Sequence, residues 1–552
     1  MKNIMFIHLY LIGFYILCIT QRSACEICST CLCLTAINEG PIIDCHGKDL
    51  ENNDMLIADL LTLNGYRSLN KLILSNNNIS NLPEHLLKKL KPVKSLDLSE
   101  NLMETIHTSI FIDLSNLEDL NLSKNKLTVF DDSLLKVLPT LLTLNVSHNH
   151  IHTVESVADK TTVNIIYLTL SHNNISSLPK KFFELLPNLQ YLDLSFNRIH
   201  SLMDYSLTRL NSLKMISINN NFLTSLDIRI FPKSLIKLHS GHNQIAEIFY
   251  ESSQLKVLNI EYNNISEIYK NITKLNELTD LNVAGNTLYD FPNTLLKNLR
   301  KLDLSNNKLQ YIPESLSVQN FPLLLELNVS KNPIQNLTFR SDLQLHSFIA
   351  SNISTLKTID KDTFTHFRMP PTDCIRVTIS NNEMLSFIHE DALKHLKLCF
   401  LDLRNNRLSY VSQELVMNSD TSVVLDINLQ GNPFKCNCSL QWMLNDLIPS
   451  LYFTRPDLLD NLRCAWPPQI SNIRMVHWYG WKEQIFCNMS NLNENLIMKV
   501  DNVVDKKVTF ESSTGWLIVM GIALTVLSSL IIIGIIWTQK IAIKKRRINR
   551  KF

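Results

Sequence analysis

From Leu69 onward the apolar residues recur on a fixed spacing. Leu69-x-x-Leu72-x-Leu74-x-x-Asn77-x-Ile79-x-x-Leu82 superimposes on Leu117-x-x-Leu120-x-Leu122-x-x-Asn125-x-Leu127-x-x-Phe130. The pattern also starts at Val93, Leu141, Ile165, Leu189 and Leu213, each step being 24 residues. It continues with variable steps from Leu235, Leu255, Leu278, Leu299, Leu324, Leu345, Cys374, Leu398 and Val424. An asparagine closes each of these except the turn at Leu345, where Ile353 stands instead. Leucines two apart predict one short strand per turn, with alternate side chains on one face. The following apolar pair, and strings such as Leu178-Pro179 with Phe182-x-x-Leu185, predict a return on the opposite side. One turn cannot bury its own apolar face, so the turns must stack and the ends must be capped. The asparagine is predicted to be buried, its amide satisfied by the backbone of its own and neighbouring turns. The expected architecture is an α/β solenoid bent into a horseshoe.

Composition narrows the chemistry. Only 11 of 552 residues are glycine, about 2% against a usual 7% or so. The repeat pattern calls for none, which accounts for the deficit. With 53 Lys and Arg against 51 Asp and Glu, the balanced charge excludes a nucleic-acid or polyanion binder. The chain has no Gly-x-Ser-x-Gly, His-Glu-x-x-His, P-loop or acidic calcium loop, and no enzyme, cofactor or metal is expected. His148, His172 and His242 sit at solvent positions of the repeats and read as ordinary surface residues.

Two apolar segments predict the compartment. Residues 1–24 read as a secretory signal, with Lys2 ahead of an apolar run from Ile4 to Ile19; an uncleaved anchor is the alternative. Gly515–Trp537 is an uncharged run bracketed by Trp516 and Trp537, followed by Lys540, Lys544, Lys545, Arg546, Arg547, Arg550 and Lys551. That pattern predicts one transmembrane helix, a cytoplasmic basic tail at 538–552 and an extracellular N-terminus, in the plasma membrane. The expected parts between are a cysteine-rich cap with the first turn at 25–68, repeats over 69–432, a second cap at 433–488 and a spacer at 489–514. Fifteen residues after the span are too few for a signalling domain.

Most cysteines cluster at the two ends of the repeats: Cys28-x2-Cys31-x-Cys33-x11-Cys45, and Cys436-x-Cys438-x25-Cys464-x22-Cys487 with Trp442 after the pair. In a secreted chain such clusters read as disulfide frameworks, and zinc ligation is the minor alternative. Cys374 holds a core leucine position and reads as a buried free thiol, with a bond to Cys399 on the next turn as the competitor. Cys25 is the candidate odd thiol.

Over residues 25–488 the chain resembles the extracellular leucine-rich repeat proteins of animal cells: Toll-like receptor ectodomains, Slit and adhesion receptors. The resemblance implies pairings Cys28–Cys33, Cys31–Cys45, Cys436–Cys464 and Cys438–Cys487. It implies recognition of an extracellular or cell-surface protein, or adhesion, with signalling left to a lateral co-receptor. A Toll-related innate-immune co-receptor is the alternative.

Solenoids bind on their concave strand face. Its exposed positions are expected before the second leucine, between the second and third, and at both residues ahead of the asparagine. Sequons occur at Asn78, Asn121, Asn145, Asn174, Asn264, Asn271, Asn328, Asn336, Asn352, Asn437 and Asn488. Asn121, Asn145 and Asn328 fall in mid-strand, and the turns from Ile165 to Leu299 have no such site. There Tyr167, Tyr191 and Met215 share one position, with Phe196 and Tyr262 nearby. These five are the candidate ligand-binding residues, against the plainer reading that they only support cross-strand packing.

Overall fold

The computed structural model describes residues 28, 30–36, 40–51, 69–82, 90–156, 162–202, 205–368, 374–415, 426–481 and 483–487. The signal segment, Cys25, Asn488, the apolar stretch Gly515–Trp537 and the basic tail lie outside them. Among the described residues, no helix is long and apolar enough to cross a membrane.

Every repeat frame places a strand of two to five residues in one 18-stranded sheet. Neighbouring turns pair in parallel and in register: Leu72 beside Leu96, Leu96 beside Leu120, Leu168 beside Leu192. These side chains are buried. In-register parallel pairing puts equal offsets of successive turns one strand spacing apart, about 4.8 Å. A core ladder and a concave-surface ladder therefore both follow from the repeat.

The expected α/β character is not realised. Within the repeats the return segments hold only short pieces, such as the α-helices Ser133–Val137 and Lys180–Glu184 and the 3-10 turns Ile228–Ile230 and Lys270–Lys274. A 24-residue turn spends its strand, asparagine corner and flank first, leaving room for about one helical turn. The architecture is a β-solenoid.

Each framing asparagine is buried and bonded across turns. Asn197 Nδ2 donates to the carbonyls of Leu170 (3.0 Å), Leu194 (3.0 Å) and Ser195 (3.2 Å), and its Oδ1 accepts from the Ile175 amide (3.0 Å). The same set recurs at Asn101, Asn125 and Asn149. In the Leu345 turn, where Ile353 replaces the asparagine, hydroxyls take part of the role. Ser351 Oγ bonds Ser380 Oγ at 2.9 Å and the Ser351 amide donates to Ser330 Oγ at 2.9 Å. Phe339, Phe348, Phe364 and Phe367 pack edge to face beneath this turn.

The corner does impose a glycine-like demand, contrary to the reading from composition. The residue before the asparagine is left-handed in turn after turn: φ is 53° at His148, His172, Phe196 and His242, and 48° at Tyr262. Gly285 and Gly431 meet this demand with glycine and Asn76, Asn220, Asn306, Asn352, Asn381 and Asn405 with asparagine, which tolerates it; at the remaining corners larger residues bear the strain. In-register stacking overrides the local preference.

The N-terminal cap is an antiparallel hairpin, Leu32–Ala36 with Gly40–Asp44, whose second strand pairs in parallel with Lys71–Ile73. Disulfides Cys28–Cys33 and Cys31–Cys45 hold it. The C-terminal cap sets the helix Ile448–Thr454 and buried Trp442, Met443 and Leu447 over the last turns, closed by Cys436–Cys464 and Cys438–Cys487. Cys374 is not a buried free thiol; it is bonded to Cys399 with Cα atoms 5.2 Å apart. The register shifts between Ile375 and Arg376. Fully buried Ile375 takes the core place, which turns Cys374 outward toward the adjacent turn.

Candidate functional site

The concave face presents three rows, each built by one repeat offset. In the first, before the second core leucine, Tyr167, Tyr191, Met215 and Lys237 lie side by side in register. The Tyr167 and Tyr191 rings stack, centroids 4.6 Å apart and planes 9° apart. The second row, between the core leucines, carries Thr169, Asp193 and Ser217. Asp193 Oδ1 accepts from the Ser195 amide (2.9 Å) and hydroxyl (2.6 Å). The third row is the left-handed corner. His148 stacks on His172 (3.9 Å) and His172 on Phe196 (4.0 Å).

The five candidate residues are thus not one cluster. Tyr167, Tyr191 and Met215 form one row, and Phe196 belongs to the neighbouring corner row. Tyr262 lies three turns beyond Phe196, stacked on His242 at 4.5 Å. Tyr167, Phe196 and Tyr262 are 44%, 46% and 43% exposed. Of the two residues ahead of the asparagine, the first is buried in most turns, as at Ser195, while the second is exposed or half-buried; Arg404 is an exposed exception. His148 and His172 are more than ordinary surface residues, because they extend the Phe196 stack. Their signal was in the sequence: aromatic rings and imidazoles at the offset just before the framing asparagine. Burial, with His172 and Lys124 nearby, holds the His148 imidazole below its ordinary pKa.

This register of leucines, buried asparagines and left-handed corners is a family signature. Models of the leucine rich repeat match residues 67–127, 163–223 and 298–318. The chain thus carries leucine-rich repeats and is similar to leucine-rich repeat proteins of the Toll-like and adhesion type. Among curated relatives of this leucine-rich repeat chain, CD180 antigen of Mus musculus is 30% identical over 238 residues, covering 40% of this chain and 34% of that protein. Transforming growth factor beta activator LRRC33 of Danio rerio is 27% identical over 278 residues, covering 42% and 39%. The matches therefore span little more than a third of either relative's own length. A chain of the solved Drosophila Toll–Spatzle complex superimposes with a TM-score of 0.53 at 18% identity, covering 75% of this chain and 61% of that one; this likeness is one of fold.

Farther along the concave face of the repeats lies a hollow of about 360 Å³, lined among others by His239, Val257, Asn259, Asp280, Lys301 and Glu326. Its charges are largely internal: Lys301 Nζ meets Glu326 at 2.9 Å, and Asn328 Nδ2 donates to Asp303 at 3.0 Å. Sequon residues Asn78, Asn264, Asn271, Asn336, Asn352 and Asn437 are exposed, while Asn121, Asn145, Asn174 and Asn328 are half-buried. Among the described residues, no group of three or more His, Cys, Asp and Glu is placed to hold a metal ion.

Proposed function

We propose that the protein is a single-pass cell-surface leucine-rich repeat protein that recognises a protein partner through its concave face, without enzymatic activity. The observation that carries this reading is the Tyr167–Tyr191–Met215 row, exposed at Tyr167 and half-buried at Tyr191 and Met215, flanked by the His148–His172–Phe196 stack. It lies in turns free of mid-strand sequons. Tyrosines on a stiff sheet offer large contact area at small entropic cost, as binding patches require. Likeness to CD180 antigen supports a second reading, a Toll-related co-receptor that holds a ligand for a signalling neighbour.

A screen of cells displaying the chain against secreted and cell-surface proteins identifies the partner. Tyr191→Ala is then expected to cost at least about 1–2 kcal/mol of affinity. Asp193→Asn completes the sequon Asn-Leu-Ser. Its Oδ1 can keep the bonds to Ser195, as Asn121 and Asn145 do with the Ser123 and Ser147 amides. Undiminished binding by a glycosylated, normally displayed Asp193→Asn chain would rule out the concave face. The membrane orientation has its own check. An epitope tag after Phe552 is expected to stain only permeabilised cells; staining of intact cells reverses the topology.

A further inference from the structure

All six tryptophans of the chain lie between residues 442 and 537, and none is in the preceding repeats. Trp442 and Trp478 are buried in the C-terminal cap. Trp516 and Trp537 bracket the apolar segment, and Trp466 and Trp481 are exposed on the cap. The cap also displays a cluster of rings. Phe453, at the end of the helix Ile448–Thr454, is 77% exposed. It meets Tyr452 edge-on at 5.3 Å and Tyr479 at 6.2 Å, and Tyr452 stacks on Tyr479 at 4.2 Å. The inner side of that helix is fixed to the core by buried Ile448 and Leu451, so the rings are held outward rather than able to fold in.

We propose that this aromatic cluster, Tyr452, Phe453, Tyr479 and neighbouring Trp481, docks on the outer surface of the lipid bilayer. The proposal rests on the reading of Gly515–Trp537 as a membrane span. Three observations select lipid as the occupant. First, the exit point of the chain is pinned to the cap, because Cys487 is bonded to Cys438. Among the described residues, the cap is therefore the part of the chain covalently nearest that span. Second, the separation is bounded: residues 488–514 can reach at most roughly 97 Å even at full extension, so the cap stays tethered to the bilayer surface. Third, the exposed residues are of the kind that partition to the membrane–water boundary, where Tyr and Trp place an apolar body in the acyl margin and a polar group in the headgroups. The cap carries five Lys and Arg against four Asp and Glu over residues 433–487, so its near-zero net charge sets no electrostatic barrier to a zwitterionic outer leaflet. Docking through the cap would lay the end of the solenoid on the membrane and fix the direction in which the concave face opens.

The full chain is reconstituted in phosphatidylcholine vesicles containing a fraction of diazirine-bearing phosphatidylcholine. After illumination, labelled residues are mapped by mass spectrometry. Labels are expected both within 515–537 and at Tyr452, Phe453, Tyr479 or Trp481. Phe453→Asp, a change at an exposed side chain, is expected to lower labelling of Tyr479 and Trp481 at least about fivefold while labelling within 515–537 is unchanged. Label confined to 515–537 would overturn the docking surface and leave the span intact. Cap labelling indifferent to Phe453→Asp would also overturn it. Absence of label from 515–537 would instead remove the membrane reading on which the proposal stands.

Discussion

Replacing Asn197 by leucine tests the repeat corner at its centre. Four hydrogen bonds disappear, but not all four groups are orphaned. The Leu194 carbonyl keeps the Asn221 amide group and the Ser195 carbonyl keeps the His172 N–H. The Leu170 carbonyl likewise keeps the Asn173 amide group, so only the Ile175 N–H is left without the partner that Asn197 provided. Each stranded buried polar group costs about 1–3 kcal/mol, and relaxation of the corner recovers part of that. With one group stranded, the expected loss is about 1–3 kcal/mol. Over some 460 residues at about 2.1 cal/mol/K each, 3 kcal/mol moves a fully cooperative melt by only about 3 °C. Amide hydrogen exchange is the sharper assay, because stability in a stacked array is local. The amides of Ile175 and its neighbours should exchange roughly 5-fold to 150-fold faster in Asn197→Leu, and those near Asn406 should be unaffected. Arg198→Ala, at the exposed next position, should stay within about 0.5 kcal/mol of the parent. Similar protection in both variants would show that the asparagine ladder is not what holds the turns together.

Gly285→Ala should destabilise by about 1–3 kcal/mol, since φ is 66° there and a Cβ would lie 2.6 Å from the Tyr262 ring; a melt equal to the parent's would refute this close approach. Cys374→Ser should cost about 2–4 kcal/mol, and Cys374→Ser with Cys399→Ser should cost little more than the single change; thiol titration of the unfolded parent that finds both cysteines free would dismiss the bond. The depressed His148 pKa means the folded chain binds its proton less readily than the unfolded chain. Its contribution is therefore present above about pH 6.5 and is lost as the pH falls below that value. His148→Asn should flatten the fall in melting temperature between pH 7.5 and 5.5, and an unchanged slope would assign the acid sensitivity elsewhere.

The solenoid, its buried asparagines and its cysteine-rich ends were legible because each is written as a spacing. A periodic signal repeated along the chain leaves one register in which the leucines of every turn can be buried together. What the spacing leaves open is what happens between turns. Whether Cys374 bonds Cys399 depended on a one-residue irregularity that swaps it with Ile375. Whether return segments become helices depended on how much chain remains after the corner. The left-handed backbone at Phe196 or Tyr262 runs against the preference of those residues and exists because adjacent turns impose it. The grouping of the aromatics was likewise a tertiary decision. Residues at one offset meet one strand spacing apart, so Tyr167 finds Tyr191, and Phe196 finds His172. Tyr262, at the same offset as Phe196 but three turns away, cannot join it. Sequence fixed which offset each side chain occupies; stacking decided which of them touch.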